Sequence, residues 1–338
     1  MLNRNVFRPV SSRLVPPDPA SPPCPSQLAR HTWSDLVDVW IGFWPHSAED
    51  DANEIPVAQR QTEWPDEWKE YIARSQGDIQ IICTFLQQSA EIALKSRICE
   101  VSPYLLLLGK GVKTSNSSEC IDFSELRTID ATDLVSAVNV FTNRRVSEEF
   151  TKIYSCLRSI RNKIMHLGES NVSLDPGAVA RQAVSIYLEL WPDRNWLSDR
   201  LEFVGKTRQA WLYDGVYCSA HTIVLQEWSV DVDIFTDTEF KSLIGYDKSV
   251  KRYVCHECVY EGQAKYAYFD KTQVGTAYLN AMANSVSCKM CNSTFSVKEG
   301  KCKRCEGEII GDNSDDWVGF CHVCGEFDEA GSGDFQIT

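Results

Sequence analysis

Two sets of side chains in this sequence have the types and the spacing to do chemistry. The first lies in LRSIRNKIMHLG, Leu157 to Gly168, where Arg161 and Asn162 are followed by His166 near the end of a stretch with helical periodicity. An imidazole has a reference pKa of about 6.5, so it can give or take a proton near neutral pH. Asn162 and His166 are four apart and share a helix face, where the amide can hydrogen-bond one ring nitrogen and fix the tautomer. Arg161 lies five residues before His166 and is rotated well away from it around the axis. A working site therefore needs a bend here or a second copy of the helix. Taken alone, an arginine and a histidine in a last turn also complement the helix dipole.

The second set is eight cysteines in four Cys-x-x-Cys pairs: Cys255 and Cys258, Cys288 and Cys291, Cys302 and Cys305, Cys321 and Cys324. In a cytosolic chain this pattern means zinc and not disulfides. Each pair presents two thiolates to one ion, and two pairs complete a tetrahedral set. The last two pairs are separated by fifteen residues, a zinc-ribbon interval. Sequential pairing, with the first two knuckles on one ion and the last two on another, is favoured. KRYVCHEC, KYAYFD and SVSCKMCNSTFSV read as strands of one ribbon, and KCKRCEGEII with WVGFCHVCGEF as strands of a second. An interleaved set joining the first pair to the third is the alternative. Four thiolates leave no open coordination position, so two structural Zn2+ per chain and no catalytic metal are expected. His256 and His322 sit inside knuckles and are expected to be exposed and not to ligate. Cys24, Cys83, Cys99, Cys120, Cys156 and Cys218 are scattered and read as free thiols.

The elements that must position these groups follow from apolar periodicity. Phe150, Ile153, Tyr154, Leu157, Ile160, Ile164 and Leu167 recur at three and four, predicting an amphipathic helix over Val146 to Leu167 that Gly168 stops. A second helix is predicted over Asp78 to Cys99, with Ile79, Ile82, Phe85, Leu86, Ala90, Ile92, Ala93 and Ile98 on its apolar face. Glu91 and Lys95 on it form a solvated i, i+4 pair. Further helices are expected from Asp130 or Thr132 to Phe141, from Pro176 to Leu190 and from Asp199 to Tyr213. A short one in Trp33 to Trp44 is capped at Ser34, and TIVL and VDVDIF within Thr222 to Phe235 suit strands. GKGVKTS, Gly109 to Ser115, lacks the residues of a phosphate-binding loop and reads as a basic helix-to-helix turn.

Arg161, Asn162 and His166, together with FLQQSAEIALKSRICEVSPYLLL from Phe85 to Leu107, resemble the HEPN domains, all-α modules of toxins, antiphage systems and RNA-processing nucleases. The family's mark is an arginine, a polar residue and a histidine four to six residues on. The resemblance covers roughly residues 75 to 191 and implies metal-independent cleavage of RNA within a homodimer whose two motifs face each other. It implies that His166 serves as base or acid, that Arg161 holds the phosphate and that Asn162 orients. Products would carry 2′,3′-cyclic phosphate and 5′-hydroxyl ends. Gly168 stands where some HEPN toxins carry a tyrosine that a partner modifies, so silencing of that kind is not expected.

The fold class expected is therefore mainly α: a HEPN-like helical bundle over 75–195, then a small β-rich zinc-ribbon region over 251–338 with two four-cysteine sites. A Pro/Ser-rich arm occupies 1–30, an aromatic-rich helical lead-in 31–74, and a connector 196–250. No run of eighteen apolar residues exists and the amino terminus lacks an apolar signal core, so no membrane span and a cytoplasmic location are expected. A net charge of -13 argues against nucleic-acid binding by the whole surface. From Lys251 to Arg304, however, nine bases face four acids, whereas Cys305 to Thr338 holds nine acids and no base. Lys289, Lys298, Lys301, Lys303 and Arg304 with Tyr253, Tyr266, Tyr268 and Phe295 would suit single-stranded RNA, or merely solvate a small fold. The leading expectation is an endoribonuclease in a toxin or antiphage role, with ribbons that select a target or receive a trigger or regulatory protein. The alternative is a non-catalytic dimeric scaffold presenting ribbons to nucleic acid or protein.

Overall fold

The computed structural model describes residues 25–47, 55–107, 128–167, 173–207, 210, 219–263, 274–311 and 318–327, with backbone alone at 25–31, 166 and 167. Within them the chain is mainly helical, with a small antiparallel sheet near its carboxyl end where the paired cysteines lie. No helix among the described residues is long and apolar enough to cross a membrane. The arm, the GKGVKTS turn, Cys218 and the KYAYFD segment lie outside the described residues.

The helices are α1 Pro25–Ile41, α2 Arg60–Glu63, α3 Pro65–Arg74, α4 Gln76–Val101, α5 Leu134–Phe141, α6 Glu148–Leu167, α7 Pro176–Leu190, α8 Trp196–Val204, α9 Ala220–Ile234, α10 Asp237–Ile244 and α11 His256–Glu261. The strands β1 Ala277–Asn280, β2 Ser285–Cys288, β3 Thr294–Glu299 and β4 Ile309–Gly311 pair antiparallel in that order. Contacts group the chain into two compact units, residues 1–29 with 83–172 and residues 30–82 with 173–338.

In the first unit α4 buries Leu86, Ala90, Leu94 and Ile98, a strict four-residue repeat along one face. Leu134 and Val138 of α5, with Phe150, Tyr154 and Leu157 of α6, complete that core. Phe85, expected on the apolar face of α4, is 39% exposed. That helix is apolar on several sides, so residue type alone does not select its inner face. The chain around α5 is held by Asn139, whose side-chain oxygen accepts from the Val146 amide at 2.8 Å.

The second unit is built on α9, where the sequence reading expected strands. Thr222, Val224, Leu225, Glu227, Trp228, Val230, Asp231, Val232 and Ile234 are all buried. A helix enclosed on nearly every side loses its polar stripe, and its runs of β-branched residues then imitate strands. Local signals do specify it: Ser219 and Thr222 form a reciprocal capping box at its start. Likewise Asp175 caps α7, Asn195 caps α8, and Thr236 with Glu239 caps α10, which ends on Gly245 at φ 86°.

Ser34 does not cap a helix as expected. It lies inside α1, whose start at Pro25 is compatible with proline in a first turn. Its hydroxyl instead accepts from Arg200 at 3.3 Å and donates to Glu227 at 3.4 Å. Trp33, Leu36, Val37 and Trp40 form the buried stripe of α1. Trp33 stacks on Phe235 at 5.3 Å, meets Trp196 edge-on at 5.0 Å, and donates its indole N–H to Asp231 at 2.9 Å. Arg200, 1% exposed, pairs with Asp231 at 2.9 Å and with Glu227. Burial pushes the Asp231 carboxyl up, and the Arg200 charge with the indole groups of Trp33 and Trp196 opposes it.

Removing one partner of such a network leaves an uncompensated buried charge, which costs about 3–5 kcal/mol. Arg200→Ala is expected to lower stability by that amount, read as an earlier urea midpoint of the tryptophan fluorescence from the surrounding indoles. A loss below about 1 kcal/mol, the range of an exposed ion pair, would show that the network does not pin the unit.

Candidate functional sites: a polar cleft on α6 and two four-cysteine clusters

α6 carries Arg161 and Asn162 into a cavity of about 310 Å³ in the first unit. The same helix contributes Arg158, α4 contributes Gln87 and Glu91, and Asp130 and Thr132 from the segment before α5 form the remaining wall. Arg161 donates to the Asn162 side-chain oxygen at 3.2 Å, so the two motif residues are in contact. The helical backbone reaches His166, whose side chain lies outside the described residues. Glu91 accepts from Lys95 at 2.8 Å and from Gln87 at 3.2 Å. Burial opposes its ionisation, but those hydrogen bonds and the charges of Lys95 and Arg161 outweigh it and hold the carboxyl below its usual range. Glu91 is thus part of a cleft and not of a freely solvated pair. The sequence reading took Glu91 only as half of a solvated pair and passed over Arg158 and Gln87. Only the i, i+4 spacing of Arg158 to Asn162, and of Gln87 to Glu91, could have marked them.

The eight paired cysteines converge as two groups, Cys255, Cys258, Cys288 and Cys291, and Cys302, Cys305, Cys321 and Cys324, each with all four sulfurs within 4.8 Å of one another. The pairing is sequential, and the interleaved set is excluded. Cys255 lies 3.6 Å from Cys291 and Cys258 lies 3.7 Å from Cys288, while Cys302 lies 3.9 Å from Cys324 and Cys305 lies 3.6 Å from Cys321. A tetrahedron of thiolates at about 2.3 Å from a central ion has edges of about 3.8 Å, so both groups fit a metal. The chemistry of the set agrees. Hydrogen bonds from Cys255 and Cys258 draw Cys291 down to about 6, but four adjacent thiolates repel, and a central cation allows all of them to ionise together.

Local backbone explains how the knuckles form. The amides of Met290 and Arg304 donate to Cys288 and Cys302 at 3.3 and 3.4 Å. Asn292, Glu306 and Gly325, each just after the second cysteine of its pair, take the left-handed backbone that turns the chain away. Gly307 must be small, because a Cβ there would stand 2.6 Å from Cβ of Val323. The first knuckle differs from the strand expected of it: Cys255 is the residue before α11 and Cys258 lies in its first turn. α9 anchors this knuckle through Ser219 and Thr222, whose hydroxyls donate to the carbonyls of Glu261 and Gly262 at 2.6 and 2.8 Å.

Two further expectations are corrected. The sheet is shared, since β4 of the second cluster pairs with β3 of the first through Val297↔Gly311, Lys298↔Ile310 and Glu299↔Ile309. His256 and His322 are not exposed: they are 3% and 0% accessible, with rings 5.9 Å apart. The His322 carbonyl accepts from the Val254 amide at 2.7 Å, and its Nδ1 lies 2.8 Å from the Val254 carbonyl, which only an N–H can satisfy. Burial lowers the pKa of both imidazoles, that of His256 to about 4. Docking of the knuckles on one another encloses both rings, with Phe295 at 3.9 Å from His256. Phe295 and Tyr253 are accordingly core residues and do not offer stacking faces. Lys298, Lys301, Lys303 and Arg304 are exposed, but Lys301 and Arg304 lie 3.9 and 3.8 Å from Glu306 and Glu326. Tyr266 and Tyr268 fall outside the described residues.

Replacing Cys302 and Cys305 with serine removes two ligands of the second cluster and loosens His322 from Val254. The expected result is loss of that cluster's metal and release of the first metal to a chelator about tenfold faster, the effect of two hydrogen bonds worth about 0.5–1.5 kcal/mol each. Helical content should persist. Metal per chain and the chelation rate are the measurements, and an unchanged rate at the first cluster would mean that the two clusters act independently.

Searches of family models, curated proteins and solved structures give no match to this chain.

Proposed function

We propose that the chain is a metal-independent endoribonuclease of HEPN type, acting as a homodimer in a toxin or antiphage role, with two structural zinc ions per chain. The observation that carries this reading is the placing of Arg161 and Asn162, in contact, in a polar cleft on the helix that continues to His166. The residue types suit transfer of an RNA phosphodiester. The ribose 2′-oxygen attacks phosphorus while an imidazole takes its proton. The bond from phosphorus to the 5′-oxygen breaks, and a second imidazole protonates that oxygen. His166 of each protomer would fill one of these roles. Arg161, permanently charged and forked, would hold the phosphate and meet the charge that develops on it. Two copies of α6 meeting at a dimer axis would overcome the angular separation of positions 161 and 166 on one helix.

The four-thiolate clusters suit zinc by ligand type and by their closed coordination, which leaves no position for substrate, so their part is structural. With Tyr253 and Phe295 buried, the described part of this module offers exposed basic residues for contacting RNA, a trigger or a regulatory protein.

Arg161→Ala and His166→Ala are each expected to lower cleavage of a short unstructured RNA by about 10²–10⁴-fold, and Asn162→Ala by less. The products should carry 2′,3′-cyclic phosphate and 5′-hydroxyl ends. Full activity in both the arginine and histidine variants sinks the assignment. Absence of cleavage by the unaltered protein under all RNA and trigger conditions favours the non-catalytic scaffold.

The protein is also expected to sediment as a homodimer at micromolar concentration. A strict monomer that still cleaves RNA would show that the composite site is wrong.

A further inference from the structure

We infer that the cleft between α4 and α6 is a subsite for one phosphodiester of single-stranded RNA, with Arg158 as its second cationic anchor. The choice of RNA rests on the ribonuclease reading above, whereas the binding itself is separable from cleavage.

The geometry of α6 comes first. Positions 158, 162 and 166 are spaced i, i+4, i+8, so they form one row along the helix, and Arg158, Arg161 and Asn162 all line the cavity. Arg158 precedes Asn162 by one turn, as position 166 follows it by one turn. Arg161 stands beside this row. The cation in line with Asn162 and position 166 on a single helix is therefore Arg158, which supplies what the five-residue spacing of Arg161 withholds.

Charge defines what the cleft accepts. Glu91 is matched by Lys95 at 2.8 Å and interacts with Arg161. Counting Lys95 with the lining groups, Arg158, Arg161 and Lys95 stand against Glu91 and Asp130, an excess of one positive charge. This matches a phosphodiester, a monoanion, better than a terminal phosphate or polyphosphate with two or more charges. Gln87, Asn162 and Thr132 add neutral donors and acceptors of the kind that engage ribose hydroxyls and base edges. The volume of about 310 Å³ is at the lower limit of small-ligand pockets, enough for one nucleotide unit and too little for a duplex.

The test uses the full chain and a fluorescent single-stranded 2′-O-methyl oligonucleotide, in which the cleavage nucleophile is blocked, titrated across a salt series. Arg158→Gln is expected to weaken binding about tenfold and to reduce the slope of log affinity against log salt by about 0.7, the value for one single-strand phosphate contact. Arg158→Lys should retain the slope. Thr132→Glu, an exposed change in the lining of the cleft, should weaken binding without disturbing the core, so the test holds even if Arg158→Gln folds poorly. Unchanged affinity and slope in both Arg158→Gln and Thr132→Glu overturn the inference, as does failure of the unaltered protein to bind. If binding depends on Arg158 but unmodified RNA stays intact under all RNA and trigger conditions, the subsite stands and the ribonuclease reading falls. If Arg158→Gln and Thr132→Glu bind and cleave as the unaltered protein does, the ribonuclease reading stands and the subsite falls.

Discussion

A guanidinium withdrawn from water has to be met by negative charge, and Arg200 is met by two carboxylates of one helix, Glu227 and Asp231. They lie four apart and present a single binding face. Much of the second unit follows from this demand. α9 must lie where both carboxylates reach Arg200 on α8, and α1 must bring Trp33 and Ser34 to finish the coordination. Once α9 is fixed in this way, its Trp228 indole holds the Gly275 carbonyl at 3.0 Å, and its first turn holds the end of α11. The four-cysteine module thus hangs on the helix that the buried charge has placed.

The cleft of the first unit uses charge in the opposite manner. Glu91 has Lys95 beside it and Arg161 within electrostatic reach, so the carboxylate organises the cleft without cancelling both arginines. In the proposed subsite the charge of Glu91 near Arg161 would favour one setting of the guanidinium before RNA arrives, while Lys95 would limit the repulsion that the phosphate meets.

Elements with one apolar face and clear punctuation were legible in the sequence. α6 falls where periodicity puts it and α7 where Asp175 and Pro176 put it, and the cysteine spacing led to the sequential pairing. α9 was not legible, because burial on nearly all sides removes the polar stripe that distinguishes a helix from strands. Nor were the walls of the cleft, since Gln87 and Glu91 at i, i+4 look the same on a solvated face as beside another helix. His256 and His322 were misread for a related reason. The surroundings of a residue inside a knuckle depend on what docks against it, here another knuckle 68 residues away in sequence.

The second unit is discontinuous: residues 30–82 come before residues 83–172, which group with residues 1–29, and 173–338 come after. Trp33 and its hydrogen-bond partner Asp231 are 198 residues apart. During synthesis Trp40 of α1 can meet Trp68 of α3 early, whereas Trp33 waits through the emergence of residues 83–172 for Trp196, Asp231 and Phe235. Residues 83–172 can meanwhile collapse on local contacts, which form early and fast. The order of birth is the reverse of the order of completion. Trp33 on α1 is thus secured only after residues 83–172 have emerged and α8 and α9 have followed.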